Sequence, residues 1–116
     1  FGAEGALALA RAAHTGELDR LLLQYRPIEA QAIRIGDTVL AGMPGELFSE
    51  YALEIKRRAP KRTVPVSLVN GELQGYVVTP QAASAGGYEA ANSVFAPEAG
   101  PVLVEAALEL VRELQT

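Results

Sequence analysis

The chain has 116 residues, of which 49% are hydrophobic and 21% charged, and its formal net charge is −4. This length builds one domain around one core, and the composition is that of a globular chain rather than a disordered one. The acidic balance argues against a nucleic-acid partner, which needs a basic face.

Cysteine is absent, which excludes disulfides, thiolate zinc sites and a cysteine nucleophile. No apolar run approaches the ~18 residues of a membrane span, and no signal-peptide pattern opens the chain. Starting at Phe1 rather than Met, it reads as processed or as a piece of something longer.

Residues 4–13, rich in alanine and leucine, predict a helix. His14-Thr15-Gly16 interrupts it, and LDRLLLQY resumes a helical pattern up to Pro27. Residues 28–35 and 38–43 are strand-like, and Gly36-Asp37 between them is a two-residue hairpin signal. From Glu46 to Arg58 the apolar residues Leu47, Tyr51 and Ile55 recur every fourth position, one face of an amphipathic helix. Within it Glu54 stands four residues before Arg58, the favourable order for a pair. Lys56-Arg57-Arg58 suits the negative end of the helix dipole, and Pro60 ends the helix.

Residues 64–69 form the next expected strand, with Pro65 near a strand start or edge. Because a helix connects strands 38–43 and 64–69, they are expected as parallel neighbours in a βαβ unit. Asn70-Gly71 turns the chain, Tyr76-Val-Val78 is a short extended piece, and residues 81–100 read as a long loop. A final helix is expected over Val102–Leu114. The predicted architecture is α/β: a mixed sheet with one hairpin, one βαβ unit and flanking helices.

Glu46 then stands just past the carboxyl end of strand 38–43, the edge where open α/β sheets place ligands. The turn after strand 64–69 reaches the same edge. Glu46 and Tyr76 should therefore share a crevice although 30 positions separate them in the sequence. An acid at a helix start is also stabilising by dipole complementarity alone, and tyrosines such as Tyr76 and Tyr88 also serve as half-buried packing residues.

The stretches IRIGDTVLAGMPGELFSEYALEIKRR, VNGELQGYVVTP and GGYEAANSVFAP, in that order, resemble the neutral/alkaline ceramidase family between about Ile33 and Pro97. Those enzymes are zinc amidohydrolases that cleave the N-acyl bond of ceramide. The resemblance implies that Glu46 of Pro-Gly-Glu is a zinc ligand and that Tyr76 of Tyr-x-x-Thr is a second ligand through its phenolic oxygen. It further implies that Tyr88 of Gly-Gly-Tyr-Glu donates to the substrate carbonyl oxygen as it becomes an oxyanion. Gly86-Gly87 would let the backbone approach the site closely.

Members of that family bring two histidine zinc ligands from an earlier part of a longer chain. The single histidine here, His14, lies outside the matched stretch and is expected at a helix end or on the surface. The chain is thus expected to be the C-terminal part of a ceramidase-like catalytic domain, holding half a zinc site and inactive alone. Its partners would be an N-acyl lipid in the intact enzyme and, for the isolated chain, a second copy, through Leu7, Leu9, Ile33 and Ile35. The alternative is a non-catalytic α/β module acting by self-association or small-ligand binding. The cations of Lys56-Arg-Arg-Ala-Pro-Lys-Arg62 are read as helix-end and solvated charge.

Overall fold

Alternation along one strand organises the molecule. In the computed structural model, which describes residues 2–24, 27–60, 62–71 and 75–114, strand β2 (Thr38–Gly42) buries Val39 and Ala41 and leaves Leu40 on the opposite face. It is the middle strand of a three-stranded sheet of order β1-β2-β4. β1 (Gln31–Ile35) runs antiparallel to it, with Ile35 opposite Thr38. Gly36 sits at φ +60°, the left-handed conformation that the two-residue turn requires. β4 (Arg62–Val66) runs parallel to β2, with Thr38 opposite Arg62 and Gly42 opposite Val66. Pro65 is accommodated because β4 is an edge strand and need not donate on its outer side. One parallel and one antiparallel pair with helices give the α/β architecture expected.

Two helices cover one face of this sheet. α3 (Ser49–Arg58), the crossover between β2 and β4, buries Tyr51 and Ile55. α6 (Ala99–Glu113) buries Gly100, Val104, Ala107, Leu108 and Val111. These side chains close on Val39, Ala41, Met43 and Val77 as one core. A Cβ on Gly100 would overlap the Tyr51 ring, so the α3–α6 approach depends on that glycine. The Tyr51 hydroxyl donates to the Val78 carbonyl at 3.0 Å, which satisfies the one polar atom on a buried ring. Arg34 in β1 donates to the Leu114 carbonyl at 3.0 Å, using a side chain to satisfy the C-terminus of α6.

The other helices are α1 (Gly2–Thr15), α2 (Glu17–Leu23), α4 (Pro80–Ala85) and α5 (Tyr88–Ala91). α1 packs on α2 and α5, and neither residues 3–15 of α1 nor α2 contribute a buried residue. The radius of gyration, 15.3 Å, exceeds the roughly 13 Å typical of a compact chain of this size. On the face turned away from α3 and α6, Ile33, Leu40 and Val64 stand in register across the three strands. Ile33, Ile35 and Leu7 are exposed, whereas Leu9 is half-buried.

Several boundaries differ from expectation. Glu46 does not open a helix: Glu46–Leu47 form a short strand, β3, and α3 begins at Ser49. Gly45 at φ +77° redirects the chain, and the Glu46 and Phe48 amides donate to Gly75 and Val77 carbonyls at 2.8 and 3.2 Å. Those backbone groups are satisfied across a sheet, so dipole complementarity is not what places Glu46. The expected strand 64–69 occupies 62–66, and Leu68 and Asn70 take positive φ. The expected strand from residue 28 begins at Gln31. The expected loop 81–100 is largely helical. Thr79 caps α4 by accepting from the Ala82 amide at 3.1 Å, with Pro80 in the first turn. α6 begins at Ala99, three residues before the expected start, with Pro101 in the turn that tolerates it. Tyr25 and Arg26, Lys61, and residues 72–74 of the VNGELQGYVVTP stretch lie outside the described residues.

Candidate functional site

Past the carboxyl ends of β2 and β4 the chain builds a second, two-stranded sheet. β3 pairs in parallel with β5 (Tyr76–Val77), placing Glu46 opposite Tyr76 and Leu47 opposite Val77. The positions read from sequence as sharing one edge are thus direct cross-strand neighbours. The close approach of these strands rests on two glycines: a Cβ on Gly45 would lie 3.1 Å from the Gly75 carbonyl oxygen, and Gly75 itself is at φ +128°. Ser93 holds β5 from behind, donating its hydroxyl to the Tyr76 carbonyl at 2.7 Å.

Tyr88 opens α5 and meets Tyr76 edge to face, ring centroids 5.9 Å apart at 75°. Tyr88 as a residue is half exposed. Gly86 and Gly87 precede it at φ +79° and +106°, and a Cβ on either would meet nothing within 4 Å. Their role is therefore conformational: they reverse the chain between α4 and α5. The close backbone approach expected of them belongs instead to Gly45 and Gly75.

Burial raises the Tyr76 phenol pKa above the usual 10.0, and the negative charges of Glu46 and, less strongly, Glu89 raise it further, as does a hydrogen bond with the Glu46 carboxylate. The neutral phenol is thus the favoured form beside that carboxylate. A crevice of about 450 Å³ opens here between Glu46, Ser49, Glu50, Ser67, Tyr76 and Glu89. Glu50, Ser67 and Glu89 carried no signal in the sequence, because each is placed by tertiary structure alone: the first turn of α3, the end of β4 and the short α5.

His14 sits exposed in the last turn of α1, the helix-end position expected of it. Among the described residues no group of three or more histidine, cysteine, aspartate or glutamate side chains could hold a metal ion. No helix among them is long and apolar enough to cross a membrane. The basic stretch ending α3 is partly engaged: Arg58 bonds Glu54 at 2.9 Å, the expected pair, and also Glu105 of α6 at 2.6 Å. Comparison with protein-family models, curated proteins and solved structures returned no match.

Proposed function

We propose that this chain contributes part of the active site of a zinc-dependent amidohydrolase resembling neutral ceramidase. The reaction is hydrolysis of the N-acyl amide bond of ceramide or a related N-acyl lipid, and the chain alone is inactive. One observation carries the reading: Glu46, Tyr76 and Tyr88, distant in sequence, converge at the carboxyl edge of the sheet.

The donor chemistry fits half of a zinc site. Zinc accepts carboxylate oxygen, and a bound cation makes a phenol an oxygen ligand near neutral pH. Glu46 and Tyr76 would hold the ion, in a crevice whose remaining acids, Glu50 and Glu89, favour positive charge. Zinc, when bound, supplies an acidified water and polarises the scissile carbonyl. Tyr88 would donate to the carbonyl oxygen as negative charge develops there, an interaction worth about 2.7–4 kcal/mol in comparable sites. A catalytic zinc normally has three protein ligands, and two are at hand, so the remainder must come from outside this chain.

Calorimetric zinc titration tests this. Binding should be weaker than micromolar, lost in Glu46→Gln and Tyr76→Phe, and unchanged in His14→Ala. Zinc should pull the raised Tyr76 pKa down, so tyrosinate absorbance should appear near neutral pH in the parent and not in Tyr76→Phe. A micromolar or tighter complex indifferent to Glu46→Gln, or turnover of an N-acyl lipid by the pure chain, sinks the half-site reading.

A second reading, a non-catalytic module that self-associates, is favoured by the uncovered row Ile33–Leu40–Val64. An uncovered apolar sheet face offers a hydrophobic contact, and among the described residues β1 is an edge strand. Sedimentation across a concentration series decides it, a concentration-independent monomer removing this reading.

A further inference from the structure

α6 carries two apolar stripes, and the core is built mainly on one. Gly100, Val104, Ala107 and Val111 face α3 and the sheet. On another side Ala99, Val102, Leu103, Ala106 and Leu110 recur at steps of three and four, the spacing with which one helix packs on another. They form the floor of a groove of about 700 Å³, whose far wall is Ile28, Ala30, Pro44 and Phe95. Val102 is 66% exposed. Leu103 on the floor and Phe95 on the wall also touch the core, but the core accounts for neither the exposed Val102 nor the open groove beside it, where a surface helix normally turns polar side chains outward.

We propose that this groove docks a basic amphipathic helix of a partner protein. Ala99 and Ala106 are small, which permits the close axial approach of a second helix. α6 has 15 residues, a length of ~22 Å, enough to receive three to four turns. The rim fixes the partner's charge. Glu98, the N-cap of α6, lies at one end of the groove and Glu109 towards the other. Lysine or arginine flanking an apolar stripe meets carboxylates at both ends, a match that steers encounter and sets orientation. A second copy laid α6 on α6 would set these acidic rims against one another, and like charges brought together across an interface are repelled.

A fluorescent lysine–leucine peptide, with leucines at steps of three and four, is the probe, and its twin with glutamate for lysine is the control. Anisotropy at physiological ionic strength should show the lysine peptide binding at least roughly tenfold more tightly than the twin. Amide shifts should concentrate on residues 28–30 and α6. Val102→Lys and Ala106→Arg, each checked for unchanged circular dichroism, should weaken binding roughly tenfold or more. Glu98→Lys with Glu109→Lys should reverse the preference between the peptides. Equal binding of the twins, no binding, or affinity indifferent to both groove variants would overturn the proposal. So would a dimer dissociated by Val102→Lys, which would give the groove to a second copy.

Discussion

α1 and α6 are built from similar residues, alanine and leucine with scattered charges, and are 14 and 15 residues long. α6 buries five residues and closes the core, whereas α1 buries none of its residues 3–15. Position in the topology makes the difference. α6 lies against β1, β2 and α3, and its glycine lets it approach Tyr51 closely. Among the described residues α1 packs mainly on the short helices α2 and α5. Helix propensity says that both segments can form helices, and the neighbours decide which becomes structural.

The sharpest test pairs two leucines. Leu108, fully buried in α6, should cost about 2–5 kcal/mol when truncated to alanine. Leu7→Ala in α1, at a half-exposed site, should change denaturant stability by no more than about 0.5 kcal/mol. Equal losses would mean that α1 is as integral to the fold as α6.

A matched pair of glycines gives a smaller contrast. Gly100→Ala drives a methyl into the Tyr51 ring and should cost about 1–3 kcal/mol. In α1, a Cβ on Gly5 would lie 2.7 Å from Asn92 Oδ1, the end of a side chain that can swing away. Gly5→Ala should therefore gain helix propensity of up to about 1 kcal/mol, less the Asn92 bond to the Tyr88 carbonyl if that is lost. Thermal melts of the two variants should move in clearly different amounts, and a large loss at Gly5 would break the contrast.

The smallest effect concerns the ion pair between α3 and α6. The hydrogen bond and charge of Arg58 hold the Glu105 carboxyl below its usual pKa of 4.5. A depressed carboxylate stabilises the fold above its unfolded pKa, and the contribution disappears as pH falls through the lower folded value. Glu105→Gln should thus be slightly less stable than the parent at neutral pH and equal to it in strong acid, with the gap narrowing in salt. A gap that persists at acid pH would assign the role of Glu105 to packing.

Sequence patterns disclosed the elements whose signals are local. The Gly36-Asp37 hairpin, the Tyr51–Ile55 stripe of α3 and the final helix all have periodicities or turn residues within one window. The parallel pairing of β2 with β4 followed from connecting two strands through a helix. β5 was legible as the short extended piece Tyr76-Val-Val78, but β3 and its pairing with β5 were not, because a two-residue ladder has no period to detect and depends on Gly45 and Gly75 meeting far apart in sequence. α4 had a readable signal, Thr79 before Pro80, masked by the glycines and prolines that follow. The convergence of Glu46 with Tyr76 was legible through the shared sheet edge. Glu50 and Glu89 were not, since nothing local aims them at the crevice.

The β3–β5 ladder fixes the backbone at Glu46 and Tyr76 through main-chain bonds, Glu46 to Gly75 and Phe48 to Val77, which do not depend on the hydrogen bond between the two side chains. Identity at positions 46 and 76 is therefore decoupled from location. Other side chains installed there, imidazole or thiol included, would inherit the same juxtaposition, so this rim is a fixed mount on which chemistry can be exchanged while the fold stays unchanged.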